Sequence, residues 1–330
     1  MCRALELYPN QTSAYINGAL AHRKLKQFAR FDHVDVFVIV PNSVNRSVLK
    51  FEKAISLGGS SSSSTMAYGY MGSTLFDWYN DIASAAPPSH LHNVVENATA
   101  EEVWTEVRRL LLRQAAKKLD NALVHGWTPP SILYSRASIE LEMKMHGEGS
   151  SGRVDAMDRN NNDEGSWDIA IRLLEMAIEN NRKLKTLEQA GAPTQDTIDE
   201  VVALNQLGLA LWKSGRIIDA EVAFLNGINL NPWRYELMVN LGSMYRDNSQ
   251  LTAARDMFGR AMGLFTSQGN ADPPAALLNN AGLIELDLGN MGLAADLFRK
   301  ALHVLEGSGG VHHPYYASIR NNLLRTGLNV

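Results

Sequence analysis

The chain has 330 residues, 45% of them hydrophobic, so it is long enough to bury a large apolar surface. A net charge of -4 excludes a global basic field for nucleic acid or anionic membrane, and a single cysteine, Cys2, excludes an internal disulfide framework and a cysteine-based zinc site. No apolar run is long enough for a transmembrane helix, and the first residues lack the apolar core of a signal peptide; the sequence leaves the compartment unknown, with a cytoplasmic location favoured.

Ser13 to Phe31 reads as a helix, with Tyr15, Leu20, Leu25 and Phe28 at helical spacing. Val34 to Val40 is β-branched and reads as a short extended segment, ended by Pro41 and Asn42. Val48 to Leu57 is helical again, and Gly58 to Thr65 is a serine-rich loop. Met66 to Ala85 carries Tyr68, Tyr70, Phe76, Trp78 and Tyr79; at helical spacing such a group is more often core than a ligand pocket. Pro87 and Pro88 stop that helix. Thr99 followed by Glu102 is a capping-box pattern opening a helix to about His125. Arg108, Arg109, Arg113, Lys117 and Lys118 form a basic face on it, read as solvated surface. Pro129 and Pro130 open the next helix, Ser131 to about Met145. Residues 147–165 are polar and read as a disordered insertion. Ser166 is expected to cap a helix from Trp167 to about Gln189, and Thr197 followed by Glu200 signals another cap.

From Val201 to Glu306 the chain repeats itself. Gly208, Gly242 and Gly282 are each followed after twelve residues by Ala220, Ala254 and Ala294. Phe224, Phe258 and Phe298 come four later, then Gly227, Ala261 and Ala301. Leu207 and Leu241 precede their glycines, Leu211 and Tyr245 follow by three, and the third copy has Ala281 and Glu285 at these places. This pattern resembles the tetratricopeptide repeat (TPR), and the first two glycines lie one 34-residue period apart. The resemblance implies an all-α, TPR-like solenoid of helical hairpins wound as a right-handed superhelix. Residues 1–195 would hold degenerate repeats, with loops near 32–47, 58–65 and 147–165. Residues 196–330 would hold the clear repeats and a capping helix, Tyr315 to Thr326. Six to seven hairpins are expected in all. Cys2 to Pro9 would be the tail of a second helix, which points to a fragment.

In the family, the glycine and the second-helix alanine let the two helices of a hairpin approach, and the phenylalanines fill the gap to the next repeat. A bulky residue at Ala254 should overpack that contact by roughly 1–3 kcal/mol. Function is expected on the concave face, lined by first helices. There Gln206, Asn240, Asn280 and Asn322 form a column, with Asn205, Asn279 and Asn321 beside it. The column resembles the asparagine ladder of O-linked N-acetylglucosamine transferase and kinesin light chain, whose carboxamides grip a peptide backbone. Each carboxamide offers donors and an acceptor, so it can pair with peptide groups whatever their sequence. The competing reading is that these side chains bond to an adjacent helix. The basic residues of a chaperone-binding carboxylate clamp are missing from the pattern.

No phosphate-binding loop, dinucleotide fingerprint, zinc-protease helix or nucleophile elbow occurs in the sequence. His90 and His92, and His312 and His313, read as loop residues, and the segment from Asp158 fails as a calcium loop at Asp163 and Ile169. The expectation is a non-catalytic interaction scaffold with a protein or peptide partner. No cofactor, metal, nucleic acid or small-molecule substrate is expected. The alternatives are the TPR portion of a larger transferase, or a structural subunit of a stable complex.

Overall fold

The computed structural model describes residues 42–58, 62–83, 100–145, 167–190, 196–268, 272–307 and 314–328. The expectations for Cys2 to Phe31, Val34 to Val40, both histidine pairs and the 147–165 insertion lie outside these residues. Among the described residues every regular element is a helix. They run α1 (Asn42–Gly58), α2 (Ser62–Ala83), α3 (Ala100–Val124), α4 (Pro130–Met145), α5 (Asp168–Gln189) and α6 (Glu200–Lys213). Then follow α7 (Ile217–Leu230), α8 (Tyr235–Asp247), α9 (Leu251–Gln268), α10 (Ala275–Asp287), α11 (Met291–Gly307) and α12 (Pro314–Arg325). The chain divides into two compact units, Met1–Ile198 and Asp199–Val330.

In the first unit α2 packs on α1 and α3, and α4 packs on α3 and α5. The serine stretch expected to be a loop is mostly helix, because α2 starts at Ser62. Ser64 and Thr65 are buried, so packing overrides the loop-like composition. Phe51 and Ala54 of α1 cluster with Ala67, Tyr70 and Met71 of α2. The helix before them also starts earlier than expected, at Asn42. The aromatic group of α2 is core: Tyr70, Phe76, Trp78 and Tyr79 are all buried.

A motif the sequence reading passed over joins α2 to α3. Ala115, Leu119 and Ala122, all fully buried, keep the alanine–large–alanine spacing of the clear repeats. A Cβ on Gly72 would stand 2.7 Å from the Leu119 side chain, so only glycine permits the approach. Ala170, Leu174 and Ala177 of α5 hold the same places, also fully buried. Five complete hairpins therefore lie among the described residues, with α1 before them and α12 after; the helix expected to pair with α1, Ser13 to Phe31, lies outside these residues.

Between α3 and α4 an ion triad is buried. Arg136 Nε donates to Asp120 Oδ1 at 2.6 Å and its Nη1 to Glu140 Oε2 at 2.9 Å, with both carboxylates almost fully enclosed. Burial alone would lower the guanidinium's pKa, but Asp120 and Glu140 outweigh it and hold it above its ordinary value. Arg136 Nη2 and Glu140 Oε1 are left without a hydrogen-bond partner. The neighbouring basic face of α3 is partly engaged rather than simply solvated: Arg108 donates to the Ala83 carbonyl at 2.7 Å, and Lys118 lies over the Tyr68 ring.

The second unit is three hairpins, α6–α7, α8–α9 and α10–α11, closed by α12. The expected cap at Thr197 is corrected: Asp199 caps α6, its Oδ1 accepting from Val201 N at 3.0 Å and Val202 N at 3.4 Å. Glu200 is the first helical residue and is buried, so it is not placed to complete a box with Thr197. At every hairpin turn the chain closes the first helix in the same way. Gly215, Ser249 and Gly289 take left-handed φ of 83°, 61° and 83°. The next residue's N–H reaches back five residues, Arg216 to Leu211, Gln250 to Tyr245 and Asn290 to Glu285. Only in the second hairpin does a residue with a side chain occupy that conformation.

Candidate interaction surface

Each hairpin of the second unit is locked by one contact. A Cβ placed on Gly208 would meet the Phe224 ring at 2.6 Å, and one on Gly282 the Phe298 ring at 2.7 Å. At Gly242 the Phe258 ring stands slightly farther off, at 3.1 Å. The three rings are fully buried. Each phenylalanine thus lies over the glycine of its own hairpin, where the sequence reading had it filling the gap to the next repeat. That gap is met one helical turn later. A Cβ on Gly227 would come within 2.2 Å of Leu237 at the start of the next first helix. Ala220, Ala254 and Ala294 have no exposed surface, as close helix approach requires.

Stacking sets the first helices in a row. α6 touches α8 and α8 touches α10, while α7 and α9 each bridge to the first helix that follows. The first helices thus form a continuous row. Ion pairs tie it along both edges: Arg234 to Asp199 at 2.8 Å and Arg246 to Asp287 at 2.7 Å. Glu285, which stands where the second copy has Tyr245, is buried and held by Arg255 at 2.7 Å and by Asn290 at 2.7 Å. Tyr245 instead donates its hydroxyl to Glu221, and burial, aided by that carboxylate, pushes its pKa up to about 12.

Glycine-locked hairpins, repeated at a fixed register and stacked first helix on first helix, decide the architecture. It is the tetratricopeptide-repeat fold. No known family model and no curated protein matches the chain. Solved structures do resemble it. YrrB, titled a TPR protein with an unusual peptide-binding site, is 15% identical, covering 80% of this chain and 91% of that one, with a TM-score of 0.49. PilF of Pseudomonas aeruginosa is 13% identical over 94% of this chain and 96% of that one, with a TM-score of 0.48. A tetratricopeptide repeat protein of Parabacteroides merdae is 13% identical over 96% and 99%, with a TM-score of 0.41. At such identity and TM-score the hairpins themselves, not these likenesses, carry the fold.

Within the TPR array the asparagine column divides in two. Asn240 of α8 donates its Nδ2 to Asn205 Oδ1 of α6 at 2.8 Å, so neighbouring first helices are joined carboxamide to carboxamide. That bond uses one N–H of Asn240 and the oxygen of Asn205; the amide nitrogen of Asn205 and the oxygen of Asn240 have no partner among the described residues. Asn280 of α10 is half-buried and makes no hydrogen bond within the described residues. Gln206 of α6 is half-buried in the same register.

The remaining members hold the end of the stack. Asn279 is buried, donates to the Tyr315 hydroxyl at 3.3 Å and accepts from Asn322 Nδ2 at 3.0 Å. Asn322 also accepts from Arg325 at 3.3 Å. These bonds dock α12 onto α10, while Ile319 and Leu323 bury its apolar side. Asn321 is exposed on α12.

One turn beyond the column, Leu209 and Leu283 are half-exposed, with Ser243 between them in register. Sequence reading passed over these two leucines, although each directly follows a repeat glycine, Gly208 or Gly282. Lys213 folds over the Trp212 ring at 4.6 Å, closing one end of α6. The face offers amide hydrogen bonding beside aliphatic contact. Among the described residues no group of three or more histidine, cysteine, aspartate or glutamate side chains could hold a metal ion. No described helix is long and apolar enough to cross a membrane.

Proposed function

We propose that the chain is a non-catalytic interaction scaffold whose first-helix face binds an extended segment of another protein. One observation carries the reading. Asn280 offers a half-exposed, unengaged carboxamide in register with Asn240 and Gln206, and Leu209 and Leu283 lie alongside. A peptide backbone presents alternating N–H and C=O groups, which such a column pairs without regard to sequence, while aliphatic neighbours select side chains. In this reading Asn240 and Asn280 touch the peptide, Asn205, Gln206 and Asn322 flank them, and Asn279 positions Asn322.

The test is affinity purification from the native source with the wild-type chain and with the Asn240→Ala, Asn280→Ala double variant. Quantitative mass spectrometry should show at least one stoichiometric partner lost from the variant. Identical partner sets at identical yield would sink the reading.

A second reading, a structural subunit of a stable complex, is favoured by α7. There Ile218, Val222 and Leu225 form an exposed apolar stripe one and two turns apart, with Ile218 at 78% exposure. A subunit role predicts a partner that co-purifies at fixed ratio and is insensitive to the asparagine substitutions.

A further inference from the structure

A groove of about 790 Å³ lies between α9 and α11, on the second-helix side of the array and away from the asparagine column. That volume falls in the range of ligand-binding clefts. Leu278 and Leu297 form its floor, and Val304 extends the apolar surface along α11. Both bounding helices are long, α9 with 18 residues and α11 with 17, against 14 for α7.

The wall contributed by α9 contains Gly259 and Gly263, one turn apart. Glycine inside a helix destabilises it relative to alanine. Gly208, Gly227, Gly242 and Gly282 each have a packing reason, since a Cβ there would meet a neighbour at 3.1 Å or less. Gly259 and Gly263 have none: a Cβ at either would meet nothing within 4 Å. Neither has a left-handed φ. Among the described residues no side chain packs where their Cβ atoms would be, and the effect is to keep the groove open to close backbone approach.

The opposite rim is basic. Arg299, Lys300 and His303 line it, with Asp272 at one end. Arg299 is neutralised by Asp296 at 3.0 Å, whereas Lys300 is exposed and has no ion pair among the described residues. A chain of net charge -4 thus places an unengaged ammonium beside an apolar cleft. The complementary partner carries an aliphatic side chain for the floor and a carboxylate for Lys300.

We infer that this groove is a second docking site, for a partner polypeptide segment that is both acidic and aliphatic. The probe is a fluorescein-labelled peptide of interspersed leucine and glutamate, titrated with the full chain by fluorescence anisotropy. A lysine-for-glutamate version and a serine-for-leucine version are titrated in parallel. The acidic aliphatic peptide should bind saturably, and Lys300→Glu should weaken it about tenfold, as loss of one charge-assisted contact does. Gly263→Leu should abolish binding by filling the cleft. Gly259→Ala and Gly263→Ala should weaken binding while raising the melting temperature, which separates a blocked groove from a damaged fold. Asn280→Ala should leave this binding unchanged, so the groove and the asparagine face fail or stand separately. The inference is overturned by an absence of saturable binding, by indifference to Gly263→Leu or Lys300→Glu, or by equal binding of the lysine or serine peptide. Loss of binding in Asn280→Ala overturns it as well.

Discussion

The three hairpin glycines provide a graded test of how the array is held together. Replacing each by alanine adds one methyl group at a place where the structure gives its nearest neighbours. At Gly208 three Phe224 ring atoms stand 2.6, 2.7 and 2.8 Å from the new carbon; at Gly282 the Phe298 ring stands at 2.7, 2.9 and 3.1 Å. At Gly242 the nearest atoms are at 3.1 and 3.2 Å. Carbon pairs are most favourable near 3.5–4.0 Å, so the first two substitutions must displace a fully buried ring, and the third asks it to give by a few tenths. Overpacking costs roughly 1–3 kcal/mol, and alanine returns about 1 kcal/mol of helix propensity. With the upper part of that range, about 2–3 kcal/mol, for the rings that must be displaced, Gly208→Ala and Gly282→Ala should lose about 1–2 kcal/mol net, and Gly242→Ala, at the low end, about zero. Urea denaturation followed by far-UV circular dichroism reads the total. Hydrogen exchange of peptides from α6 and α7 reads the local opening, which matters because repeat arrays need not unfold in one step. Adding Phe224→Leu should relieve most of the loss in Gly208→Ala, a coupling of about 1 kcal/mol. If Gly242→Ala proved as damaging as Gly208→Ala, or if Phe224→Leu gave no relief, the glycine–phenylalanine lock would not be what sets the hairpin.

Arg136→Met should destabilise the first unit by roughly 3–5 kcal/mol, because Asp120 and Glu140 would remain buried without their counter-charge; a loss under about 1 kcal/mol in urea melts would refute that. Ser249→Gly should raise stability by about 1 kcal/mol, since of the three hairpin turns only this one places a side-chain-bearing residue at left-handed φ. Differential scanning calorimetry would show an unchanged or lowered melting temperature if the turn were unstrained. Tyr245 has a folded-state pKa raised from 10.0 to about 12, so its contribution is complete below pH 10 and is lost as pH rises through 12. Tyr245→Phe should flatten stability measured across that interval, and an unchanged slope would remove Tyr245 as its source.

Much of the fold was legible because one contact recurs. Glycine, alanine and phenylalanine reappear at fixed spacing through α6 to α11 since each hairpin solves the same packing problem with the same residue sizes. Where another large residue does the job, as Leu119 does against Gly72, the pattern lost its aromatic marker and that hairpin was harder to read. Local composition misled at Ser62 to Thr65, whose helical state depends on packing that no short window contains. The cap of α6 was misplaced for a similar reason: Thr197 and Asp199 are both good caps, and only Asp199 stands where its side chain accepts from Val201 and Val202 N–H.

The asparagine column shows the division most clearly. Sequence alone determined that carboxamides recur beside the leucine position, because periodicity is a one-dimensional property. It could not say which of them are already engaged. Asn205 and Asn240 lie 35 residues apart and Asn279 and Asn322 lie 43 apart, and each bond exists only because stacking brings two helices to hydrogen-bonding distance. The same holds for Arg136, whose partner Asp120 sits on another helix, and for the groove between α9 and α11, which belongs to neither helix alone. Repeat spacing is written along the chain, whereas the state of each polar group is settled only by what folding sets across from it.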